Sequence, residues 1–213
     1  MSASSALQPS ALALPSRKTL FRLFAGGYIA LMAWEIWARV ITAWVLGGPL
    51  EPPQLVISLV QTWTGIALSL PTATFGHYVV GIVGYPLLYW IVSRNLPRWP
   101  VILDAGVWLA FTLFMAVATL RGTATMGTGL FWLVVTAITA TRAINPSPLI
   151  ANCLSWGSFT WFNALGIFAP LAGLPFLLME WGGELSFMSY VGHILFGFIA
   201  ALVFETLESR DPG

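Results

Sequence analysis

Apolar runs as long and as sparsely charged as those in this chain have no place in a water-soluble domain, and they dictate the backbone. Residues 20–46, 73–92, 101–120, 126–141, 149–171 and 187–207 each reach or approach the length that a helix needs to cross hydrocarbon, roughly 20 residues for about 30 Å. Lipid offers no water to unpaired N–H and C=O groups, so such runs must satisfy their backbone internally as helices. The expected fold is all-α, a polytopic transmembrane helical bundle of about six spans. Composition agrees: 58% of residues are hydrophobic and 8% charged, with a mean hydropathy of +0.83, against about 25% charged residues in soluble proteins. A net charge of +1, with the basic residues scattered at segment ends, excludes the clustered basic patch of a nucleic-acid binder.

Charge placement orders the spans. Lys and Arg collect on the cytoplasmic side of short loops. Arg17, Lys18 and Arg22 therefore place the start of the first span inside, and Arg94 and Arg98 place the end of the second inside as well. An even number of crossings must separate them. The apolar stretch 54–70, broken by Gln61, Thr62 and Thr64 and bounded by Pro52, Pro53 and Pro71, is expected to be an outer re-entrant or interfacial helix. Arg142 lies inside and Arg121 is the one outside exception, so both termini are cytoplasmic. The domain reading is a disordered tail over 1–19, a transmembrane domain over 20–207 and a short tail over 208–213. The first run exceeds the 7–15 apolar residues of a cleavable signal, so it is expected to stay as an anchor.

A second apolar outer segment, 174–183, stands between the last two spans. Span, outer segment and His-bearing span thus occur twice, a pattern that resembles the internal repeats of transporters. Tryptophans near span ends, such as Trp44, Trp63, Trp90, Trp99 and Trp181, suit an interfacial belt. Trp34, Trp37, Trp108, Trp156 and Trp161 fall deeper.

The two histidines carry the strongest functional signal. They lie in matching sequences, Gly76-His77-Tyr78-Val79-Val80-Gly81 and Gly192-His193-Ile194-Leu195-Phe196-Gly197, and an imidazole in hydrocarbon needs a partner. Both are expected at similar depth in the outer half of the membrane. Gly81 and Gly84 follow His77 at one and two helical turns; Gly197 and Ala201 follow His193 in the same way. Such a face leaves room for a haem b or a chlorin ligated through the imidazoles. It equally lets two helices approach closely while the imidazole hydrogen-bonds across the contact, and a proton-relay role is the third option. Glu35 and Arg39 form an i,i+4 pair in the favourable order, inside the first span. Asn152 and Asn163 share a face of the fifth span with Trp156 and Phe159, where amides fix helix packing. Asp104 is expected to reach water at the cytoplasmic face, and Cys153 to be a small buried apolar residue with no thiol partner.

No nucleotide-binding, metalloprotease or serine-hydrolase motif is present. The Tyr190-Val191-Gly192-His193-Ile194-Leu195-Phe196-Gly197 helix, with Phe75-Gly76-His77, resembles small uncharacterised bacterial inner-membrane proteins whose last span carries H-x-x-x-G. The resemblance implies a helical bundle in a bacterial inner membrane and no particular reaction. Three function classes follow. The first is an accessory or scaffold subunit docked on other subunits of a respiratory or photosynthetic membrane complex, through Gly81, Gly84, Gly197 and the deep tryptophans. The second is an electron-transfer protein using His77 and His193. The third is a small-molecule transporter or membrane enzyme using Glu35, Arg39, Asn152 and Asn163.

Overall fold

The computed structural model describes residues 14–144, 148–181 and 183–210, and these are helical almost throughout, with no strand among them. Of the tails expected over 1–19 and 208–213, residues 1–13 and 211–213 lie outside the described residues, as does the side chain of Arg142, while 17–19 and 208–210 are helical. Helix α1 spans Arg17–Leu46, α2 Pro52–Thr64, α3 Leu70–Asn95 and α4 Trp99–Leu120. Helix α5 follows over Met126–Ile144 and α6 over 148–171; a 3-10 turn at Phe176–Trp181 leads into α7, Gly183–Arg210. Four of these, α1, α3, α4 and α7, are long and apolar enough to cross a membrane. Helix α2 has 13 residues, about 20 Å at 1.5 Å per residue, which is too short to cross.

Local sequence explains the breaks. Ser16 caps α1 by accepting the Thr19 amide at 3.1 Å, and Gly47 and Gly65 end α1 and α2 at positive φ, where a side chain would be strained. Three helices carry π-helical turns: Trp37–Ile41 in α1, Val80–Gly84 in α3 and Phe162–Phe168 in α6. Two of them end two residues before a proline, Pro86 and Pro170. Proline lacks the amide hydrogen and crowds the carbonyl one turn back, and a widened turn relieves both faults.

Helix α7 is the hub, packed against α1 on one side and α6 on the other. Apolar helices in lipid gain nothing from the hydrophobic effect on meeting each other, so small residues and hydrogen bonds must hold them. A Cβ placed on Gly26 would lie 2.8 Å from Ala200 O, one on Gly27 2.7 Å from Ile82 O, and one on Gly197 2.3 Å from Gly157 N. These glycines bring α1 onto α7 and α3, and α6 onto α7, at backbone contact. One end of the bundle is closed by polar links: Arg22 to Glu208 at 2.8 Å, Arg94 to Glu205 at 3.1 Å, and Tyr89 Oη donating to Glu205 Oε1 at 2.8 Å. The start of α1, the end of α3 and the end of α7 therefore lie together. Helices α4 and α5 run antiparallel, tied by Trp108 Nε1 to Thr136 Oγ1 and Trp132 Nε1 to Thr112 Oγ1, both 3.2 Å.

Helix α6 carries small polar side chains inside the bundle. Ser155, Ser158 and Thr160 are buried beside Trp156 and Trp161. Two expectations are corrected here. Asp104 does not reach water: it is buried, and its Oδ2 accepts the Ser155 hydroxyl at 2.9 Å. Trp99 does not sit in an interfacial belt but is buried edge-on against Tyr89 and Trp156. Trp44, Trp63 and Trp181 are exposed.

Candidate functional site

The two histidines line a single cavity of about 370 Å³, near the end of the bundle opposite the Arg22–Glu208 and Arg94–Glu205 pairs. Helix α3 brings His77 and Val80, α7 brings Ser189 and His193, α1 brings Trp34, and α6 brings Leu165 and Phe168. Leu55, Val56 and Leu59 of α2 cover it together with Leu174 and Leu178, whose segment precedes α7. The short helix α2 and the short segment before α7 are thus walls of one site. The covering helix is fastened at both ends: Trp63 Nε1 donates to Leu171 O at 2.8 Å and Thr62 Oγ1 to Ala172 O at 3.3 Å, while the Leu50 amide donates to Ala38 O at 2.9 Å. That last carbonyl belongs to the π-turn of α1.

Charge and tautomer are set by neighbours. Glu35 stands between two bases: Arg39 Nε donates to its Oε2, and His77 Nε2 lies 3.5 Å from its Oε1. The expected Glu35–Arg39 pair is present, with His77 as an additional member. The separation from His77 is at the outer limit for a direct hydrogen bond, and Glu35 Oε1 and His77 Nε2 are both buried without a hydrogen-bonding partner. His193 Nδ1 donates to the Ser189 carbonyl at 2.8 Å, one turn back on its own helix. A neighbour of this kind fixes an imidazole's orientation and tautomer. The Trp34 ring lies 4.4 Å from the His193 ring. Gly192 makes this possible, because a Cβ there would fall 2.1 Å from Trp34 Cζ3.

The glycines beside the histidines are not open grooves. The Gly81 face is filled by Leu31 of α1, whose Cδ1 would be 3.1 Å from an added Cβ, and the Gly197 face by the α6 backbone. A flat macrocycle finds neither face free. Gly84, expected at a helix contact, is exposed, and a Cβ there would meet only Val80 of its own helix. Asn163 accepts the Tyr85 hydroxyl at 2.9 Å and so joins α6 to α3. Asn152, half-buried, makes no side-chain hydrogen bond among the described residues. No cluster of three or more His, Cys, Asp and Glu placed to hold a metal ion occurs among the described residues. Cys153 is buried and free.

Sequence reasoning missed Gly157, Gly26 and Gly27, although the first sits in the small-residue string Ser155-Trp156-Gly157-Ser158, a pattern that permits close helix contact. It also missed Ser189 and Trp34 as partners of His193. No protein-family model, curated protein or solved structure matches the chain.

Proposed function

We propose that this protein is a six-span membrane protein, with both termini cytoplasmic in a bacterial inner membrane, that binds an amphiphilic small molecule in the cavity between His77 and His193. The observation that carries the reading is that residues more than a hundred positions apart, on α3 and α7, line one apolar cavity together. Mostly apolar walls with a few convergent polar groups are what a small-molecule site requires. Each of the three helices with a π-turn contributes a lining residue in or near it: Val80 and Leu165 within their turns, and Trp34 one turn before its own. Such turns occur often at functional sites. Arg17, Lys18, Arg22, Arg94 and Arg98 lie at the end opposite the cavity, which supports an outer-half position for the site by the charge rule.

Docking on a larger respiratory or photosynthetic complex has less behind it. Of the small residues expected to carry that contact, Gly81 and Gly197 are used for packing within the chain. The test is to extract the purified protein with organic solvent and identify bound small molecules by mass spectrometry. Wild type should yield one stoichiometric amphiphile, and Val56→Trp, which fills the cavity from the α2 side, should yield none. Equal recovery from both would remove the reading.

A further inference from the structure

Leu55, Val56 and Leu59 of α2, with Leu174 and Leu178, roof the cavity. Three bonds keep α2 in place: Leu50 N to Ala38 O, Thr62 Oγ1 to Ala172 O and Trp63 Nε1 to Leu171 O. The exposed members of the lining are Glu51, Val80 and Phe168. Glu51 starts α2, where its carboxylate accepts from Gln54 Nε2 at 3.4 Å. Val80 of α3 and Phe168 of α6 are 44% and 37% exposed, and they stand on helices that share no extended packing among the described residues. Helix α3 packs instead along α1 and α2. It reaches α6 through two side chains nearer the anchored end: Tyr85 Oη donates to Asn163 Oδ1 at 2.9 Å, and the Tyr89 ring lies edge-on to Trp156. Toward the cavity end, the rim between the two helices is formed by Val80, Phe168 and, one turn from Val80, the exposed Gly84.

We infer, on the ligand-binding and membrane-spanning readings above, that the occupant is a lipid drawn sideways from the bilayer, with its oxygen-bearing head inside the cavity and its hydrocarbon tail lying between α3 and α6. The interior asks for the head. Trp34 Nε1 and His77 Nε2 are buried on lining residues without a hydrogen-bonding partner, and an indole N–H only donates, so an occupant that satisfies Trp34 brings an acceptor oxygen. The rim asks for the tail, because Val80, Gly84 and Phe168 present no polar side chain. A water-borne molecule would have to break the bonds that hold α2 before it entered. A lipid passes between apolar side chains that already face hydrocarbon, in the position between bundle helices where small-molecule sites recur.

Recharging the emptied protein tests the route. The full chain is stripped of bound amphiphile in detergent and divided. One half meets vesicles made from the total lipid extract of its native membrane, the other the protein-free soluble fraction of the same cells, and each is re-isolated and extracted for mass spectrometry. The vesicles should restore the amphiphile recovered from untreated protein, and the soluble fraction should not. An added Cβ at Gly84 meets only Val80 of its own helix, and Gly84 is not part of the cavity lining, so a large side chain there obstructs the rim without filling the cavity. Gly84→Trp should lower recharge from vesicles about tenfold, near the low end of what overpacking costs. Recharge from the soluble fraction, or full recharge of Gly84→Trp, overturns the inference. So does untreated protein that holds an amphiphile and regains none from vesicles. Should Gly84→Trp fail to fold, the contrast between vesicles and soluble fraction in the wild type decides alone. Untreated protein that yields no amphiphile at all removes the ligand-binding reading itself.

Discussion

Gly157 of α6 and Gly197 of α7 meet backbone to backbone. A Cβ on Gly197 would lie 2.3 Å from Gly157 N, and one on Gly157 would lie 2.6 Å from Ile194 Cα and 2.8 Å from His193 O. No rotamer change relieves contacts between main-chain atoms, so the helices must part. Gly197→Ala and Gly157→Ala should each destabilise the protein by about 1–3 kcal/mol, the range for overpacked interiors. Gly84→Ala, at an exposed position, should be neutral or slightly stabilising. Thermal unfolding in detergent compares the three.

Glu35 is shared by Arg39 and His77, and removing one member strands another. Arg39→Leu alone should lower the yield of folded protein more than Glu35→Gln combined with Arg39→Leu, because an uncompensated charge within a span costs up to about 3 kcal/mol. Size-exclusion recovery from membranes measures the difference. Equal recoveries would show that the pair contributes nothing to folding.

The seating of Trp34 depends on a missing methyl group. Gly192→Ala should push the indole out of its place against His193, since the added carbon would overlap Trp34 Cζ3 and crowd Trp37 Cδ1. A red shift and a loss of tryptophan fluorescence anisotropy are the expected readouts, with about 1–3 kcal/mol of destabilisation. An unchanged spectrum and melting temperature would mean that the ring has room the packing does not show.

A buried hydroxyl supports the one carboxylate in α4. Ser155→Ala removes the 2.9 Å bond to Asp104 Oδ2 and should cost about 1–3 kcal/mol, because the acceptor stays buried. Ser158→Ala, whose hydroxyl lies 3.3 Å from the Tyr190 hydroxyl, should cost less. Chemical unfolding of the two variants side by side checks the order.

Topology is open to direct labelling. With Cys153 replaced by Ser, a cysteine at Ser58 of α2 should react with an impermeant maleimide from outside intact cells, and one at Ser209 only after permeabilisation. The reverse pattern would invert the bundle and move the cavity to the inner half.

The helical class and the four long helices were legible because length and apolarity act along the chain, whereas the stretch read over 54–70 forms a helix only over Pro52–Thr64. The Glu35–Arg39 pair was legible for the same reason, being local to one helix. The meeting of His77 and His193 in one cavity was suggested only by their matched surroundings. What stayed hidden depends on which face of a helix meets which neighbour. Asp104 sits close enough to a span end to suit water, yet α6 covers it with Ser155. Trp99 has the sequence position of an interfacial tryptophan, and only the crossing of α3, α4 and α6 turns it inward. The grooves beside Gly81 and Gly197 look open along one helix and are filled by another.

The π-turns of α1, α3 and α6 have a consequence for how this site is aimed. Each accommodates one residue beyond the regular repeat, and one residue of helix is worth about 100° of rotation. The two halves of each of these helices therefore face in directions that a straight helix would not combine. In α3 the lower half carries Tyr89 and Arg94 toward Glu205, while the upper half turns His77 toward Glu35. Deleting a single residue such as Ile82 would let α3 run as a regular helix with both halves still in register, whereas straightening it at full length would swing the imidazole out of the cavity by that same angle.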